Sequence, residues 1–183
     1  MLTPRSRRRI AALSALLGAS ALLASSPYAH ARGAAAGPPW ISIETPVNPY
    51  DATTRGAFLL VHAFHHGDAV AYPVSGTAEG IVNGQRRSMP LSFSSTSRTG
   101  AYALRKQWGD AGVWTLVITV KQQENDLAQA LVEVGADGAV SRVQVPTRIG
   151  ERNLPFPRVI AAQEIDAALR ERAKLTVGQR PRD

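Results

Sequence analysis

Hydrophobic and polar residues alternate along most of this chain, which predicts strands rather than helices. The alternation is clearest over residues 99–120, where mostly apolar side chains recur at every second position on both sides of Gly109-Asp110-Ala111-Gly112. Two glycines and an aspartate suit a tight reversal of the backbone. We therefore predict that residues 99–120 form a β-hairpin at the centre of the fold, with Trp108 and Trp114 close together in the core.

The same period of two recurs elsewhere in the chain. Residues 40–44 alternate and are followed by Pro46, and residues 57–66 are apolar on both faces, which predicts a central strand. Asn83-Gly84 joins two further alternating stretches and is the strongest short-range hairpin signal in the chain. Residues 127–134 and 139–145 flank a glycine-containing turn and predict another hairpin, although residues 127–131 also suit a helical turn.

After this region the pattern changes. Residues 147–157 are rich in proline and are predicted to be a linker, whereas residues 158–175 have the spacing of a helix. The apolar stripe of that helix is narrow and rich in alanine, so we expect loose packing on the sandwich or on a partner. The fold class predicted is all-β: an immunoglobulin-like antiparallel β-sandwich of seven to nine strands over residues 40–146, with a C-terminal α-helix and a disordered tail at 176–183.

The N-terminus has the three parts of a secretory signal. Four arginines precede an apolar run over residues 10–23, and Ala29-His30-Ala31 has the small residues that signal peptidase requires. The apolar run is shorter than the roughly 20 residues of a membrane span. We predict a cleaved signal peptide at residues 1–31, exported by the Sec or the twin-arginine route, a flexible linker at 32–39, and no membrane span after cleavage.

Composition then limits the function. Removing residues 1–31 takes away four arginines and no acid, so the formal charge falls from +7 to +3, and we expect no nucleic-acid binding. The chain has no cysteine, which excludes thiolate metal sites, a cysteine nucleophile and a lipoprotein anchor. The alanine-rich and arginine-rich leader suits a bacterial protein of the periplasm or the cell exterior.

Three histidines form the one cluster with metal-ligand chemistry: His62, His65 and His66. In a straight strand His62 and His66 share a face about 13 Å apart, at roughly 3.3 Å per residue, and His65 points the other way. If Gly67 bends the end of the strand, His65 and His66 can converge with a remote group such as Met89, Asp68 or the new N-terminus. Such a ligand set suits copper better than structural zinc. The alternative is that all three line a strand end near solvent and bond to loops.

Residues for catalysis do not form a recognisable set. No glycine-flanked serine elbow or phosphate-binding loop occurs, and the acidic residues are spread over different strands and turns. We therefore predict that the chain is not an enzyme and needs no cofactor, apart from the copper alternative. Trp40, Trp108 and Trp114 suit either the core or a sugar-stacking platform.

One resemblance follows from the central motif. Thr99-Gly100-Ala101-Tyr102, followed by Trp108-Gly109 and by the alternating residues from Gly112 to Ile118, resembles small exported immunoglobulin-like sandwiches of the YtkA-like or FixH-like kind. It is also similar to prealbumin-like, carboxypeptidase regulatory-like domains. The resemblance covers residues 40–121 in strand order and implies copper handling or assembly of membrane enzymes. The chain lacks the transmembrane helix and the methionine-rich or histidine-rich copper motif of that group.

These observations lead to one expectation and two alternatives. We expect an exported, non-catalytic β-sandwich that acts as a binding or accessory module for another protein of the cell envelope. The first alternative is a periplasmic copper-binding protein that uses the histidine cluster. The second is the accessory domain of a hydrolase, with a carbohydrate or peptide ligand.

Overall fold

Strands account for most of the chain, as the alternating pattern predicts. The computed structural model describes residues 37–178, without the side chains of residues 151 and 176–178. Over this range it contains twelve strands, one turn of 3-10 helix at Glu151–Asn153 and one α-helix. The elements are β1 Trp40–Glu44, β2 Leu59–His65, β3 Asp68–Ala69, β4 Val74–Val82, β5 Gln85–Pro90, β6 Phe93–Ser95, β7 Ala101–Leu104, β8 Val113–Lys121, β9 Leu127–Val134, β10 Val140–Gln144, β11 Thr147–Ile149, β12 Pro155–Pro157 and α1 Ala162–Gly178.

Two antiparallel sheets face each other. The first has the order β1-β2-β7-β6, with β3 also paired to β2, and the second has the order β10-β9-β8-β4-β5. The strands can be lettered along the chain as in an immunoglobulin-like sandwich, with β3 left out. The first sheet then has the order A-B-E-D, and the second has the order G-F-C-C′, with β10 added beside β9, which is strand G. The predicted fold class is confirmed. The described chain exceeds the expected seven to nine strands because several strands have only two or three residues.

Two of the three hairpins predicted from turn residues are present. β4 and β5 are joined by Asn83 and Gly84, whose φ angles of 50° and 76° are those of the turn that matches strand twist. β9 and β10 are joined across residues 135–139, with Gly138 at a φ of 78°. Residues 127–131 are therefore strand and not a helical turn.

The predicted hairpin at residues 99–120 is wrong. β7 pairs with β2 and β6 in the first sheet, whereas β8 pairs with β4 and β9 in the second. Residues 105–112 therefore cross from one sheet to the other. The spacing was compatible with both arrangements, because a strand that changes sheets and a strand that turns back on its neighbour have the same period of two.

The core lies between the two sheets. Inward side chains of β2 and β7 in one sheet meet those of β8 and β9 in the other, and most are fully buried. Trp108, on the crossover, and Trp114, on β8, are 5% and 7% exposed, so their prediction as core is confirmed. Trp40, on β1, is 37% exposed and is not part of this core.

Helix α1 packs on the outer face of the second sheet. Ala168 and Ile165 contact Leu131 and Val117 there, in a small cluster separate from the main core. Leu169 is fully buried, whereas Ala161 and Ala162, at the start of the helix, are exposed. The helix begins four residues later than predicted and continues to Gly178, so the expected disordered tail is helical at residues 176–178.

The proline-rich segment predicted as a linker contains regular structure. β11 and β12 pair with each other as a two-stranded sheet, with Arg148 opposite Phe156 and Ile149 opposite Pro155. A proline cannot donate a ladder hydrogen bond, but it is tolerated in a strand whose N–H side is open. The segment is therefore a small hairpin between β10 and α1.

Part of the predicted organisation lies outside the described residues. This applies to the signal peptide at 1–31, to residues 32–36 of the linker and to residues 179–183 of the tail. Within residues 37–178, no helix is long and apolar enough to span a membrane.

Candidate functional site

His62 lies on the outer face of the first sheet and bonds to a carboxylate. Its Nε2 is 2.8 Å from Oε2 of Glu44, which is on the neighbouring strand β1. Arg98 also approaches Glu44, at 3.5 Å, and Asp51, at 3.9 Å. The hydroxyl of Thr53 and then its backbone amide donate to Asp51 and lower the pKa of that carboxyl. His62 thus belongs to a polar network at a strand edge.

His65 and His66 converge at the end of β2. His66 has a φ of 51°, which ends the strand, and the two rings lie 4.2 Å apart, edge to face. Nε2 of the buried His65 is 3.2 Å from the carbonyl oxygen of Gly37, while His66 is exposed. His66 and the next residue, Gly67, both have positive φ angles, 51° and 90°, so the chain bends over these two positions.

The structure thus separates the predicted histidine cluster into a pair and a single residue. Among the described residues, no group of three His, Asp or Glu side chains is placed to hold a metal ion. His62 points to Glu44, so a metal bound by His65 and His66 would need ligands from elsewhere. Copper binding stays a prediction.

Acidic side chains with shifted pKa values are bound by neighbours that stabilise the fold. Arg158 and then the amide of Ala161 bond to Glu164 and lower its pKa to about 2. Partial burial alone would raise the pKa of Glu79, but hydrogen bonds from Ser88, Thr77 and Arg86 outweigh it and leave the pKa below its usual value. Lys106 lowers the pKa of Asp110 on the exposed crossover.

The largest of the pockets described is at one end of the sandwich. It has a volume of about 240 Å³ and lies between the crossover, residues 105–112, and the β9–β10 turn. Trp108 and Trp114 line it, but both indoles are more than nine-tenths buried, so neither presents a face on which a sugar could stack. Nε1 of Trp114 donates to the carbonyl of Ala111, at 2.9 Å, which fixes its ring.

A surface rich in large apolar side chains lies on and beside the β11–β12 hairpin. Ile149, Leu154 and Val159 are 66%, 53% and 59% exposed. Arg148 lies over the ring of Phe156, with its guanidinium carbon 5.7 Å from the ring centre. Neighbouring residues of a strand face opposite sides, so Arg148 and Ile149 lie on different faces of this hairpin. We call the set of Arg148, Ile149, Arg152, Leu154 and Val159, taken over both faces, the hairpin surface.

The sequence reasoning missed the hairpin surface because it took the prolines as breakers. The signal that could have shown it is the spacing of Pro155 and Pro157 two positions apart, opposite Thr147–Ile149. Prolines at every second position lack N–H groups on one side of a strand only, so the hydrogen bonds on the other side can form.

No family model matches this chain, and comparison with curated proteins and with solved structures finds no match.

Proposed function

We propose that this protein is an exported, non-catalytic β-sandwich that acts as a binding or accessory module for another protein of the bacterial cell envelope. The observation that carries the proposal is the hairpin surface, where three large apolar side chains are more than half exposed within eleven residues. The predicted signal peptide supports export to the periplasm or the cell exterior.

Contact of these apolar side chains with water is unfavourable, and a partner that buried them would remove that contact. Single exposed apolar residues are ordinary, but a cluster of them on one small element is typical of a docking surface. β11 and β12 belong to neither five-stranded sheet, so the hairpin is not needed to complete either of them. Leu154 and Ile149 are therefore suited to enter an apolar groove of a partner.

The charges beside these residues favour a partner with an acidic rim. Arg148 is held over Phe156, and Arg152 is exposed at the turn of the hairpin. Arg158, the next arginine along the chain, is already bound to Glu164. Arginine is one of the residue types that are enriched among the anchors of protein interfaces.

The surroundings of the acidic residues support a non-catalytic role. Perturbed pKa values often indicate a catalytic group, but structural ion pairs perturb them as well. Glu164, Glu79, Asp51 and Asp110 each have a lowered pKa, and each is bound by a nearby donor that accounts for it. A carboxyl group that acts as a general acid needs a raised pKa.

Affinity capture from an envelope extract tests the proposal when it compares matched variants. Ile149→Asp/Leu154→Asp places two charges on the hairpin surface, and Tyr50→Asp is the control, because Tyr50 is 93% exposed in a different loop. We expect the wild-type protein and Tyr50→Asp to retain the same partner, and the double variant to recover at least tenfold less of it.

Thermal unfolding of all three proteins separates loss of binding from loss of folding. The substituted side chains are exposed, so we expect melting temperatures within a few degrees of each other. A partner that binds the double variant as well as the wild type would overturn the hairpin surface as the docking site. Recovery of no specific partner after chemical cross-linking in intact cells would overturn the accessory function.

A second candidate function, copper binding, is favoured by the contact between His65 and His66. Two imidazoles on one turn provide nitrogen ligands of the kind that Cu(II) prefers. His66 is exposed, so an ion could reach it from solvent. His62 takes no part in this version of the site, because it bonds to Glu44.

A further inference from the structure

Strand β1 is an edge strand without the features that normally prevent edge pairing. Its neighbour on one side is β2, and within the described residues no strand lies on the other side. Its sequence, Trp-Ile-Ser-Ile-Glu, contains no proline, lysine or arginine, and its one charged residue, Glu44, is bound by His62 and Arg98. Its register with β2 is unbroken over all five residues. Such an edge is a template for another strand.

The other edges of the two sheets are protected. β5 carries Arg86 and Arg87 and ends at Pro90, and β10 has a register shift between Val140 and Arg142. β6 has only three residues and β3, paired only with β2, has two. Charges, prolines, bulges and short strands are the usual means of blocking edge-to-edge association. β1 therefore differs from every other edge of the two five-stranded sheets described.

The hydrogen bonds of β2 show which backbone groups of β1 are open. The amide of Ala63 donates to Gly100, beside β7, and its carbonyl accepts from Val70, beside β3, so Ala63 points away from β1. Backbone groups alternate along a strand, so Leu60, His62 and Phe64 point toward β1. They pair with Glu44, Ser42 and Trp40.

The two remaining residues of β1 therefore direct their backbone to the open edge. These are Ile41 and Ile43, each with one N–H and one C=O. None of these four groups has a hydrogen bond on that side among the described residues. An extended strand placed there would satisfy all four.

We propose that a second copy of this chain occupies that edge, so that two β1 strands pair antiparallel about a two-fold axis through Ser42. In this register Ile41 lies opposite Ile43 of the second copy and exchanges both hydrogen bonds with it. The symmetric contact forms twice, which gives four backbone hydrogen bonds and satisfies every open group. The first sheets of the two copies become one continuous sheet.

The neighbouring registers satisfy fewer groups. An axis at Ile41 places Ile43 opposite Pro39, which has no N–H to donate. An axis at Ile43 places Ile41 opposite Thr45, which lies beyond the strand and precedes Pro46. If the axis passes between two residues, Ile41 and Ile43 lie opposite residues of the second copy whose N–H and C=O groups are already bonded to β2. The sequence of β1 thus selects the axis at Ser42.

Side chains on the outer face match in the same register. Trp40 lies opposite Glu44 of the second copy, and its indole is 37% exposed, with no hydrogen bond from its N–H among the described residues. His62 and Arg98 bind Oε2 of Glu44, which leaves Oε1 as an acceptor. The pairing therefore gives Trp40 both a contact surface and a hydrogen-bond partner.

The interface is small, so we expect weak association of the two copies. Two strands of five residues bury less than the area of about 1,200 to 2,000 Å² found in stable complexes, so we expect a dissociation constant in the micromolar range. This inference concerns β1 and does not depend on the hairpin surface. The purified protein should change from monomer to dimer as its concentration rises, as measured by sedimentation velocity.

Cysteine cross-linking tests the register. Residues directly opposite in a non-hydrogen-bonded pair have Cα atoms about 4.5 Å apart, within the range of a disulfide. The chain has no cysteine, so Ser42→Cys introduces a single thiol, and Ser94→Cys on the edge strand β6 is the control. With a thiol oxidant we expect Ser42→Cys to form a disulfide-linked dimer on a non-reducing gel, and Ser94→Cys to remain monomeric.

Charge repulsion tests the same axis without covalent chemistry. Ser42→Lys places two ammonium groups opposite each other and should weaken the dimer at least tenfold, whereas Ser94→Lys should not. Both serines are exposed, so neither variant should lose its fold. A wild-type protein that stays monomeric at every concentration would overturn the proposal, as would a dimer that persists in Ser42→Lys or equal cross-linking of the two cysteine variants.

Discussion

Arg158 binds both carboxylate oxygens of Glu164, at 2.7 and 2.8 Å, where the chain leaves β12 and enters helix α1. One of those oxygens also accepts a hydrogen bond from the backbone amide of Ala161, the residue before the helix. Glu164 is the third residue of α1, so it forms the glutamate half of a capping box. This carboxylate therefore connects the end of the hairpin to the start of the helix.

The first prediction concerns pH. The pKa of Glu164 is lowered to about 2, from an ordinary value of 4.5, so its contribution to stability is complete above pH 4.5 and is lost as the pH falls toward 2. We expect Glu164→Gln to have a lower urea midpoint than the wild type at pH 7, by about 0.3 M because solvent screens an exposed pair. The difference should shrink below pH 4.5.

Glu171→Gln is the matched control, because that residue is on the same helix and forms no ion pair within the described chain. Its urea midpoint should follow the wild-type value at each pH. A constant difference between Glu164→Gln and the wild type from pH 7 to pH 2 would contradict the assignment of the shift to Glu164.

The second prediction concerns two glycines with similar backbone angles. Gly112, at the end of the crossover, has a φ of 88°, and a Cβ there would overlap the carbonyl oxygen of Ile81. Gly84, in the β4–β5 turn, has a φ of 76° and nothing within 4 Å of the same position. We expect Gly84→Ala to cost about 1 kcal/mol, from backbone strain alone.

Gly112→Ala adds a steric clash to the same strain, and should cost about 2 to 4 kcal/mol. Urea unfolding of the two variants measures the difference directly. Equal losses would mean that the crossover relaxes freely around Ile81, contrary to the close packing described for this part of the chain.

The crossover also shows how far sequence reasoning reached. Strand positions and hairpin turns follow from local rules, so β1, the Asn83-Gly84 hairpin and the β9–β10 hairpin were predicted correctly. The partner of a strand is a non-local choice that the period of two does not encode. Residues 99–120 therefore contain two of the predicted strands, the first of which ends at Leu104 and not at Trp108, and the predicted pairing between them is wrong.

The third prediction concerns the attachment of α1. Arg86, on β5, forms ion pairs with Glu79 on β4 and with Asp166 on the helix, and so connects the sheet edge to α1. Arg86→Met should raise the amide exchange rate of residues 165–175 about threefold, since partly exposed ion pairs contribute only a few tenths to 1 kcal/mol. Hydrogen–deuterium exchange read by mass spectrometry measures this rate.

Arg87→Met is the control for that measurement, because Arg87 is on the same strand and bonds only to Gln85 among the described residues. High salt should accelerate exchange in the wild type and have less effect in Arg86→Met, whose ion pairs are already absent. An unchanged rate in Arg86→Met would mean that the apolar contacts of Ile165 and Ala168 hold the helix without Arg86.

The histidine cluster shows a second limit of the sequence. Straight-strand geometry placed His62 and His66 on one face, but the positive φ of His66 turns its ring toward His65 instead. Glu44, the partner of His62, is 18 positions away and is brought alongside by the β1–β2 register. Neither contact is encoded by local spacing, so the sequence could name these residues but not group them.

The last prediction distinguishes the histidine pair from the full cluster. If copper binds at the end of β2, the ligands are His65 and His66, so titration calorimetry of the purified protein with Cu(II) should give micromolar affinity or tighter. His65→Ala/His66→Ala should abolish the signal, and His62→Ala should retain it, because that ring bonds to Glu44. Loss of binding in His62→Ala would restore the three-histidine site, and no heat of binding with either Cu(II) or Zn(II) would remove the metal hypothesis.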